Sequence, residues 1–366
     1  MAQASRSGVP GTDRPSTLDD VAARANVSAA TASRVLAGNY PVAPATRQRV
    51  LRAVRELNYV ANTHARALAG VKTETVAFFL NDVRSPAFAE AAYGVEQEAA
   101  RGGRLCLLGC THGDPERELA FVRLMREQRA AAVILIGGIV DNDDYRARMA
   151  EIAHSLHAAG TRLVLCGRPP LGGEVPATVV EYDNEGGAHA ATSHLLSHGH
   201  RRILYLGGEV GHSTSVGRGA GYRRAMADFG VPVDGSLVEH GDFSRLSGYQ
   251  HTAARLRSGT GFTAVFADTD AVASGALAAI TDAGLRVPED VSLVGYDDVP
   301  VAQDLRPQLT TVHVPYEELG RTAVRMALGS GGHHDGWGEQ RVVLGTHVVV
   351  RQSVHSLSSK PPSGRR

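Results

Sequence analysis

The sequence predicts an α/β protein whose body consists of doubly wound parallel sheets, preceded by a small N-terminal helical domain. From residue 75 onward, apolar runs of strand length alternate with stretches of helical periodicity, which is typical of parallel sheets with helices on both faces. The alternation starts again after Tyr182, so the body divides into two similar halves. Two such halves predict a cleft between them, with ligands bound at the carboxyl ends of the strands.

The elements of the body follow from this pattern in chain order. Buried strands are predicted at residues 75–80, 105–108, 132–136, 163–166, 203–206, 264–267 and 292–296. Helices are predicted at residues 87–101, 115–129, 185–197, 218–229, 247–257 and 270–283. Residues 329–338 are rich in Gly and predict a loop, and residues 356–366 predict a flexible tail.

The segment from Thr17 to Leu36 predicts two short helices joined by a tight turn. Thr17 is a good N-cap, and Ser28 can cap the second helix after a turn at residues 26–27. Val35 and Leu36 are predicted to point into a small core. The remaining side chains of the second helix are then predicted to face solvent, DNA bases or phosphates: Ala29, Ala30, Thr31, Ser33 and Arg34. The pattern alone also fits an ordinary small helical bundle.

The charge of this segment favours a nucleic-acid partner. The whole chain is formally neutral, but residues 14–72 hold nine basic and three acidic residues, a net charge of +6. Residues 1–13 balance, so the rest of the chain carries −6. A third helix is predicted after Pro44, with arginines on its outer faces. A basic N-terminal domain on an acidic body is typical of a nucleic-acid-binding module joined to a separate domain.

Motifs along the chain resemble those of the LacI/GalR family of bacterial transcription regulators. The resemblance covers about residues 17 to 351, and the motifs occur in the order that the family shows. They are Thr17-Leu-Asp-Asp-Val-Ala22, Val27-Ser-x-x-Thr-x-Ser-Arg-Val-Leu36, Leu57-Asn-Tyr-x-x-Asn62, Ala65-Arg-x-Leu68, Ser85-Pro-x-Phe88, Gly199-His-Arg-Arg-Ile203, Arg218-x-x-Gly-Tyr222, Asp270-x-x-Ala-x-Gly-Ala276, Val294-Gly-Tyr-Asp-Asp298 and Leu309-Thr-Thr-Val312.

The resemblance implies a domain plan. Residues 1–15 would be a disordered lead, 16–61 a helix-turn-helix DNA-binding domain, and 62–72 a hinge helix. Residues 73–355 would form a periplasmic-binding-protein-like core for ligand binding and dimerisation. In that core the chain crosses between two subdomains near residues 181, 312 and 340. Residues 356–366 remain the tail.

The resemblance also implies how DNA is read. A homodimer would place one helix-turn-helix on each half of a pseudo-palindromic operator. The hinge helices would lie in the minor groove, where Leu68 matches the family's wedge residue. The alternative is a plain linker in which Leu68 only packs. The predicted DNA contacts are Thr17, Ser28, Ala29, Ala30, Thr31, Ser33, Arg34, Asn62, Ala65 and Leu68.

For the effector, the family's positions fall on seven residues. Arg218 matches an arginine that binds hydroxyls or carboxylates, and Asp297 is a natural acceptor for sugar hydroxyls. Thr269 stands where Asn is common, and Asp270 beside it is predicted to cap the following helix. Arg168 either faces the cleft or lies on the surface. The predicted effector contacts are Phe88, Arg168, Arg218, Phe243, Thr269, Asp297 and Tyr316, a set that favours a sugar or sugar derivative.

Other classes of function find little support in the sequence. Gly217, Gly219 and Gly221 do not match a dinucleotide fingerprint. His194 and His198 lack the catalytic Glu of a metalloprotease, and the serines near His212 lack a nucleophile elbow. No enzyme activity, cofactor or metal is therefore predicted. A sugar-binding protein without regulatory output remains the alternative.

Composition predicts a cytoplasmic protein. Hydrophobic content is 43%, without an apolar run long enough for a transmembrane helix, and the first residues lack the apolar stretch of a secretion signal. Cys106, Cys110 and Cys166 have no zinc or redox spacing and predict buried thiols in a reducing compartment. No leucine heptads follow Val354, so a tetramer held by such a tail is not predicted.

Overall fold

The computed structural model of the chain describes residues 16–37, 41–59, 75–259, 261–329 and 340–357. The chain divides into two compact units, Met1–Thr73 and Glu74–Arg366. The predicted lead, the predicted hinge helix and all but the first two residues of the predicted tail lie outside the described residues. Their boundaries stay predictions.

The N-terminal unit contains three helices, α1 (Leu18–Ala25), α2 (Ala29–Ala37) and α3 (Pro44–Glu56). The predicted cap is confirmed, because the Thr17 hydroxyl accepts a hydrogen bond from the amide of Asp20 at 3.3 Å. The Asp20 carboxylate in turn accepts one from the amide of Thr17 at 2.8 Å. Asn26 ends α1 in the left-handed region (φ 52°), which produces the tight turn. A small core then forms between the helices from Val21, Ala22, Ala25, Ala32, Val35, Val50 and Ala53.

The body begins with alternating strands and helices, as the sequence predicts. The elements of its first part are β1 (Thr75–Leu80), α4 (Pro86–Arg101), β2 (Leu105–Cys110), α5 (Pro115–Glu127), β3 (Ala132–Ile136), α6 (Asp143–Ala158), β4 (Arg162–Cys166) and β5 (Ala177–Tyr182). Those of the second part are α7 (Asn184–Ser197), β6 (Ile203–Gly207), α8 (Ser213–Asp228), a 3-10 turn (Gly235–Leu237), β7 (Val238–His240), α9 (Arg245–Arg257), β8 (Ala264–Ala267), α10 (Asp270–Asp282), β9 (Ser292–Val294) and α11 (Val301–Asp304). The chain then continues through β10 (Thr311–His313), α12 (Tyr316–Leu328), β11 (Gln340–Leu344) and β12 (His347–Val349).

These strands form two parallel sheets and one short antiparallel pair. The first sheet has the order β11-β5-β4-β3-β1-β2, and the second has the order β7-β6-β8-β9. β10 pairs antiparallel with β12. Because β11 returns to the first sheet after the whole second sheet is complete, the chain passes between the halves more than once. α12 belongs to the first half as well, where it packs on α4 through two glycines, Gly94 and Gly320.

One predicted strand differs from its prediction. Residues 105–108 are predicted to be buried, yet β2 is an edge strand in which Leu105 is 70% exposed and Leu108 is 42% exposed. Cys106 and Cys110, on the same strand, are half-buried, whereas Cys166 on the central β4 is buried as predicted. A continuous apolar run indicates a strand of a parallel sheet but does not distinguish a central strand from an edge strand.

In the described parts of the chain, no helix has both the length and the apolar character needed to cross a membrane.

Candidate functional site

The centre of the candidate site is Arg218, near the beginning of α8. Its side chain is only 1% exposed. The Nε donates a hydrogen bond to the Asn184 amide oxygen at 2.9 Å, and Nη2 donates to Asp297 Oδ1 at 3.1 Å. Nη1 donates to the main-chain oxygen of Asp268. The guanidinium also lies over the ring of Tyr296, 3.7 Å from its centroid. Arg218 is therefore fixed in place by its protein neighbours.

Asp297 completes this ion pair from the loop after β9. Its φ is 111°, which lies in a region that residues with a side chain rarely adopt. The Tyr316 hydroxyl donates to its Oδ1 at 2.8 Å, and the Tyr316 ring packs edge-on against Tyr182 at the end of β5. Burial raises the pKa of Asp297 above the ordinary carboxyl value, although the charge of Arg218 opposes the shift. The cluster thus joins side chains from both halves of the body.

Two further acids, Asp268 and Asp270, are buried near the cluster. The role predicted for Asp270, the cap of α10, is wrong. The Asp268 carboxylate accepts hydrogen bonds from the Tyr205 hydroxyl at 2.6 Å and the Gly208 amide at 3.0 Å. Asp270 is predicted to cap α10, but the cap is Thr269, whose hydroxyl accepts from the amide of Val272. Asp270 is the first residue of the helix, and its buried carboxylate makes other contacts.

The carboxylate of Asp270 instead ties α10 to neighbouring segments. It accepts the hydroxyl of Thr311 on β10 at 2.5 Å and the amide of Val299 at 2.9 Å. Burial raises the pKa of the Asp270 carboxyl and that of the Asp268 carboxyl. Sequence reasoning did not single out Asp268, although its position at the end of β8 would have placed it at the carboxyl edge of the sheet.

The two halves meet directly beside this cluster. Val140, after β3, forms an isolated antiparallel bridge with His212, before α8. The amide of Ser213 donates to the main-chain oxygen of Ile139 at 2.8 Å, and the Ser213 hydroxyl accepts from the amide of Ile139 at 3.2 Å. At Gly138 there is no room for a side chain, because a Cβ would lie 2.4 Å from the His212 ring. We call residues 137–140 and 211–214 the cleft junction.

Aromatic rings line the junction. The ring of Phe88, on α4, lies against Gly137, where a Cβ would be 3.0 Å away. The Phe243 ring packs edge-on against the His212 ring, with 5.1 Å between centroids. Phe88 and Phe243 therefore both lie at the cleft junction, and a contact of either ring with an effector stays a prediction.

His212 is a residue whose place in the site the sequence analysis missed. Its Nδ1 is buried and makes no hydrogen bond of good geometry to the described groups. Burial also lowers the pKa of this imidazole, which favours its neutral form. An unsatisfied buried nitrogen beside Phe243 is suited to a polar ligand group. The signal available in the sequence was its position shortly after β6, at the carboxyl end of the strand.

Arg168 is buried behind the junction rather than at the surface, so the surface alternative is wrong. It is 2% exposed, and its Nε donates to the main-chain oxygen of Gly137 at 3.0 Å. Both Nη atoms donate to the Glu118 carboxylate, at 2.9 and 2.7 Å, and Nη1 also donates to the Tyr145 hydroxyl. These contacts position the loop after β3. A direct contact between Arg168 and an effector stays a prediction.

The second candidate site is α2 of the N-terminal unit. Ala30 and Arg34 are exposed, and Ala29, Thr31 and Ser33 are half-buried, with Ala29 against the core of the unit. The amide of Thr31 donates to the Ser28 hydroxyl at 3.2 Å, so the predicted cap of α2 is confirmed. Arginines at positions 47, 49, 52 and 55 are exposed on α3. Asn62, Ala65 and Leu68 lie outside the described residues.

A helix-turn-helix joined to a body of two parallel sheets with a buried polar cluster between them defines the class of ligand-responsive DNA-binding regulators. Residues 17–62 match the family described as bacterial regulatory proteins, lacI family, and residues 192–354 match a periplasmic binding protein-like domain. The regulator DegA of Bacillus subtilis is 33% identical over 94% of this chain and 99% of its own. The chain belongs to the LacI family of bacterial transcription regulators.

Solved structures agree with this assignment. A complex of the transcriptional regulator CelR with cellobiose is 34% identical over 93% of this chain and 100% of its own, with a TM-score of 0.67. A Lac repressor dimer bound to operator and the anti-inducer ONPF is 26% identical with the same coverage and a TM-score of 0.76. The predicted family and fold class are thereby confirmed. The relatives regulate transcription, so neither an enzyme nor a plain sugar-binding protein is supported.

Proposed function

We propose that this regulator binds a pseudo-palindromic operator as a homodimer, and that a small sugar-like effector in the cleft controls its operator affinity, most simply as a repressor. The observation that carries the proposal is the buried cluster of Arg218, Asp297 and Tyr316. It joins the two halves in a chain that also contains a helix-turn-helix. The CelR complex with cellobiose and the operator-bound Lac repressor dimer support it. Such a protein acts in the cytoplasm, where its DNA is.

The charge of the cluster favours an uncharged effector. Arg218 is neutralised by its ion pair with Asp297, and Asp268 adds a second buried carboxyl beside it. An anionic ligand would meet a cation that is already paired and carboxyls that repel it. A neutral polyhydroxylated ligand would instead donate hydroxyl hydrogen bonds to these carboxyls and accept from the N–H groups that Arg218 has left.

The rings around the junction fit the same ligand class. Phe88 and Phe243 approach the junction from opposite halves, and sugar rings pack their apolar faces against aromatic side chains. The buried Nδ1 of His212 adds a polar group that would select among hydroxyl patterns. Thr269 contributes less, because its hydroxyl already caps α10.

Operator recognition would use α2, the first residues of the helix-turn-helix helices, and the predicted hinge helix at residues 62–72. Thr31, Ser33 and Arg34 are proposed to contact phosphates or base edges, with Thr17 and Ser28 at the helix starts. Ala29 and Ala30 are small and would allow close approach to thymine methyl groups. Asn62, Ala65 and Leu68 are proposed to act in the minor groove.

The test is selection of genomic DNA fragments by the purified full-length protein, repeated with a panel of candidate effectors. The panel pairs neutral monosaccharides and disaccharides with their phosphorylated and carboxylated counterparts. We expect one palindromic sequence to be enriched, and one neutral sugar to change its retention. Enrichment that responds only to a sugar phosphate would overturn the neutral-effector proposal, and no enrichment at low salt would overturn operator binding itself.

A further inference from the structure

A groove lies between α5 and α6 of the first half of the body, and none of the residues that line it is a predicted effector contact. It encloses a cavity of about 290 Å³. Its lining spans Leu119 to Arg126 on α5 and Arg148 to Leu156 on α6. At 1.5 Å per residue, these spans give the groove a length of roughly 10 to 12 Å, about two helical turns.

The floor of the groove is apolar and its rim is basic. Val122 and Leu156 are buried at the floor, and Leu119 and Ile152 are half-buried beside them. The rim carries three exposed arginines, Arg123 and Arg126 on α5 and Arg148 on α6, against one acid, Glu151.

The arginines keep capacity for a partner. Arg126 donates to the Ser155 hydroxyl at 2.7 Å, and Arg148 donates to exposed Glu116 at 3.3 Å. Each guanidinium has five N–H donors, so these contacts use only a part of them. The three arginines outnumber the two acids beside them, Glu151 and the Glu116 that pairs with Arg148, although the body outside residues 1–72 has a net charge of −6.

We propose that this groove docks an acidic amphipathic helix of a partner protein. Apolar side chains on one face of that helix would fill the floor, and carboxylates along its flanks would pair with arginines on both walls. The opposed positions of Arg123 and Arg148 favour an elongated ligand with acids on both sides. Docking there uses none of the predicted effector contacts and would give the regulator a protein input.

The test uses the full-length protein and a labelled designed helical peptide of about four turns, with leucines along one face and glutamates elsewhere. Two companion peptides replace the glutamates with lysines or the leucines with serines. Binding is followed by fluorescence anisotropy, and its location by hydrogen-exchange mass spectrometry. We expect only the leucine–glutamate peptide to bind and to protect α5 and α6.

The matched variants separate this groove from the basic N-terminal unit, where an acidic peptide would bind if charge alone decided. Arg123→Glu with Arg126→Glu should weaken binding about tenfold or more, which is about 1.4 kcal/mol. Arg52→Glu with Arg55→Glu, two exposed arginines on α3, should leave it unchanged.

Three outcomes would overturn the proposal. The first is that Arg52→Glu with Arg55→Glu weakens peptide binding more than Arg123→Glu with Arg126→Glu does. The second is that the peptide with serines in place of leucines binds as tightly as the leucine–glutamate peptide. The third is a protein that self-associates without peptide until the Arg123 and Arg126 charges are reversed, because the groove would then belong to a second copy of the chain.

Discussion

At the scale of single residues, the site is built from charges that are buried only because they are paired. Arg218 is 1% exposed and Asp297 is 8% exposed, and each supplies the other's counter-charge. Arg168 and Glu118 repeat the arrangement behind the junction. Removing one partner of such a pair leaves an uncompensated buried charge, which costs more than the pair itself contributes. Mutational tests must therefore separate loss of binding from loss of stability.

Arg218→Ala should abolish the effector response while operator binding persists. The same change should lower the free energy of unfolding by about 3 to 5 kcal/mol, because Asp297 loses its partner. Operator affinity with and without effector, together with urea unfolding, measures both effects. Arg223→Ala, at an exposed position five residues further along α8, is the control and should alter neither.

A companion variant removes the ambiguity of that result. Arg218→Met combined with Asp297→Asn eliminates both charges, and should recover much of the lost stability without recovering the response. A double variant that responds to effector normally would refute the assignment of this pair to effector binding.

Three histidines that are buried or half-buried should make the body less stable in mild acid. Burial lowers the pKa of His194, His200 and His212 below the ordinary value of 6.5. The unfolded chain then binds protons near 6.5 that the folded chain does not bind. The free energy of unfolding is therefore highest above that pH and decreases as the pH falls below it, by at most about 1.4 kcal/mol per pH unit for each histidine.

Urea unfolding at pH 7.5 and 5.5 checks this prediction. His200 is buried, with its ring nitrogens bonded to the Thr263 hydroxyl and the His355 main-chain oxygen. His200→Gln should reduce the difference in stability between the two pH values, whereas His154→Gln at an exposed position should leave it as in the wild type. An identical difference in all three proteins would contradict the linkage.

At the scale of elements, periodicity located most strands and helices but not their environments. β2 has the apolar run of a central strand, yet it lies at the edge because sheet order depends on contacts distant in sequence. α8 begins at Ser213, five residues before its prediction, because its first turn packs at the cleft junction. Arg218 and Asp297 were identified from family motifs, whereas His212 and Asp268 depend on burial, which a single sequence does not display.

The contact between α4 and α12 gives a prediction at this scale. A Cβ at Gly94 would lie 2.0 Å from the main-chain oxygen of Glu317, which is backbone and does not yield easily. Gly94→Ala should therefore destabilise the body by about 1 to 3 kcal/mol, since overpacking forces the helices apart. Thermal unfolding compares it with Gly235→Ala, where a Cβ meets nothing within 4 Å. Equal melting temperatures would show that the helices separate at little cost.

At the scale of the whole body, the two halves are in direct contact at the cleft junction. A main-chain hydrogen bond, a hydroxyl contact and one antiparallel bridge connect residues 139–140 to residues 212–213. Effector binding between the halves would shift the population toward the state in which this junction is made. A ligand can shift such an equilibrium only by its difference in affinity for the two states.

The junction can be tested without replacing any proposed effector contact, although the added methyl group meets the ring of His212. A Cβ at Gly138 would lie 2.4 Å from the His212 ring and 2.5 Å from the Thr214 hydroxyl, so Gly138→Ala disfavours the joined state. If the effector prefers that state, its apparent affinity should fall about tenfold for each 1.4 kcal/mol by which the joined state is disfavoured. Operator affinity without effector should change in the same direction as it does when the effector is withdrawn from the wild type.

Isothermal titration and operator binding measure the two quantities, with Gly345→Ala, where a Cβ meets nothing within 4 Å, as the control. Unchanged effector affinity in Gly138→Ala would mean that the junction is equally formed with and without ligand, and the coupling would have to pass through the strands that cross between the halves.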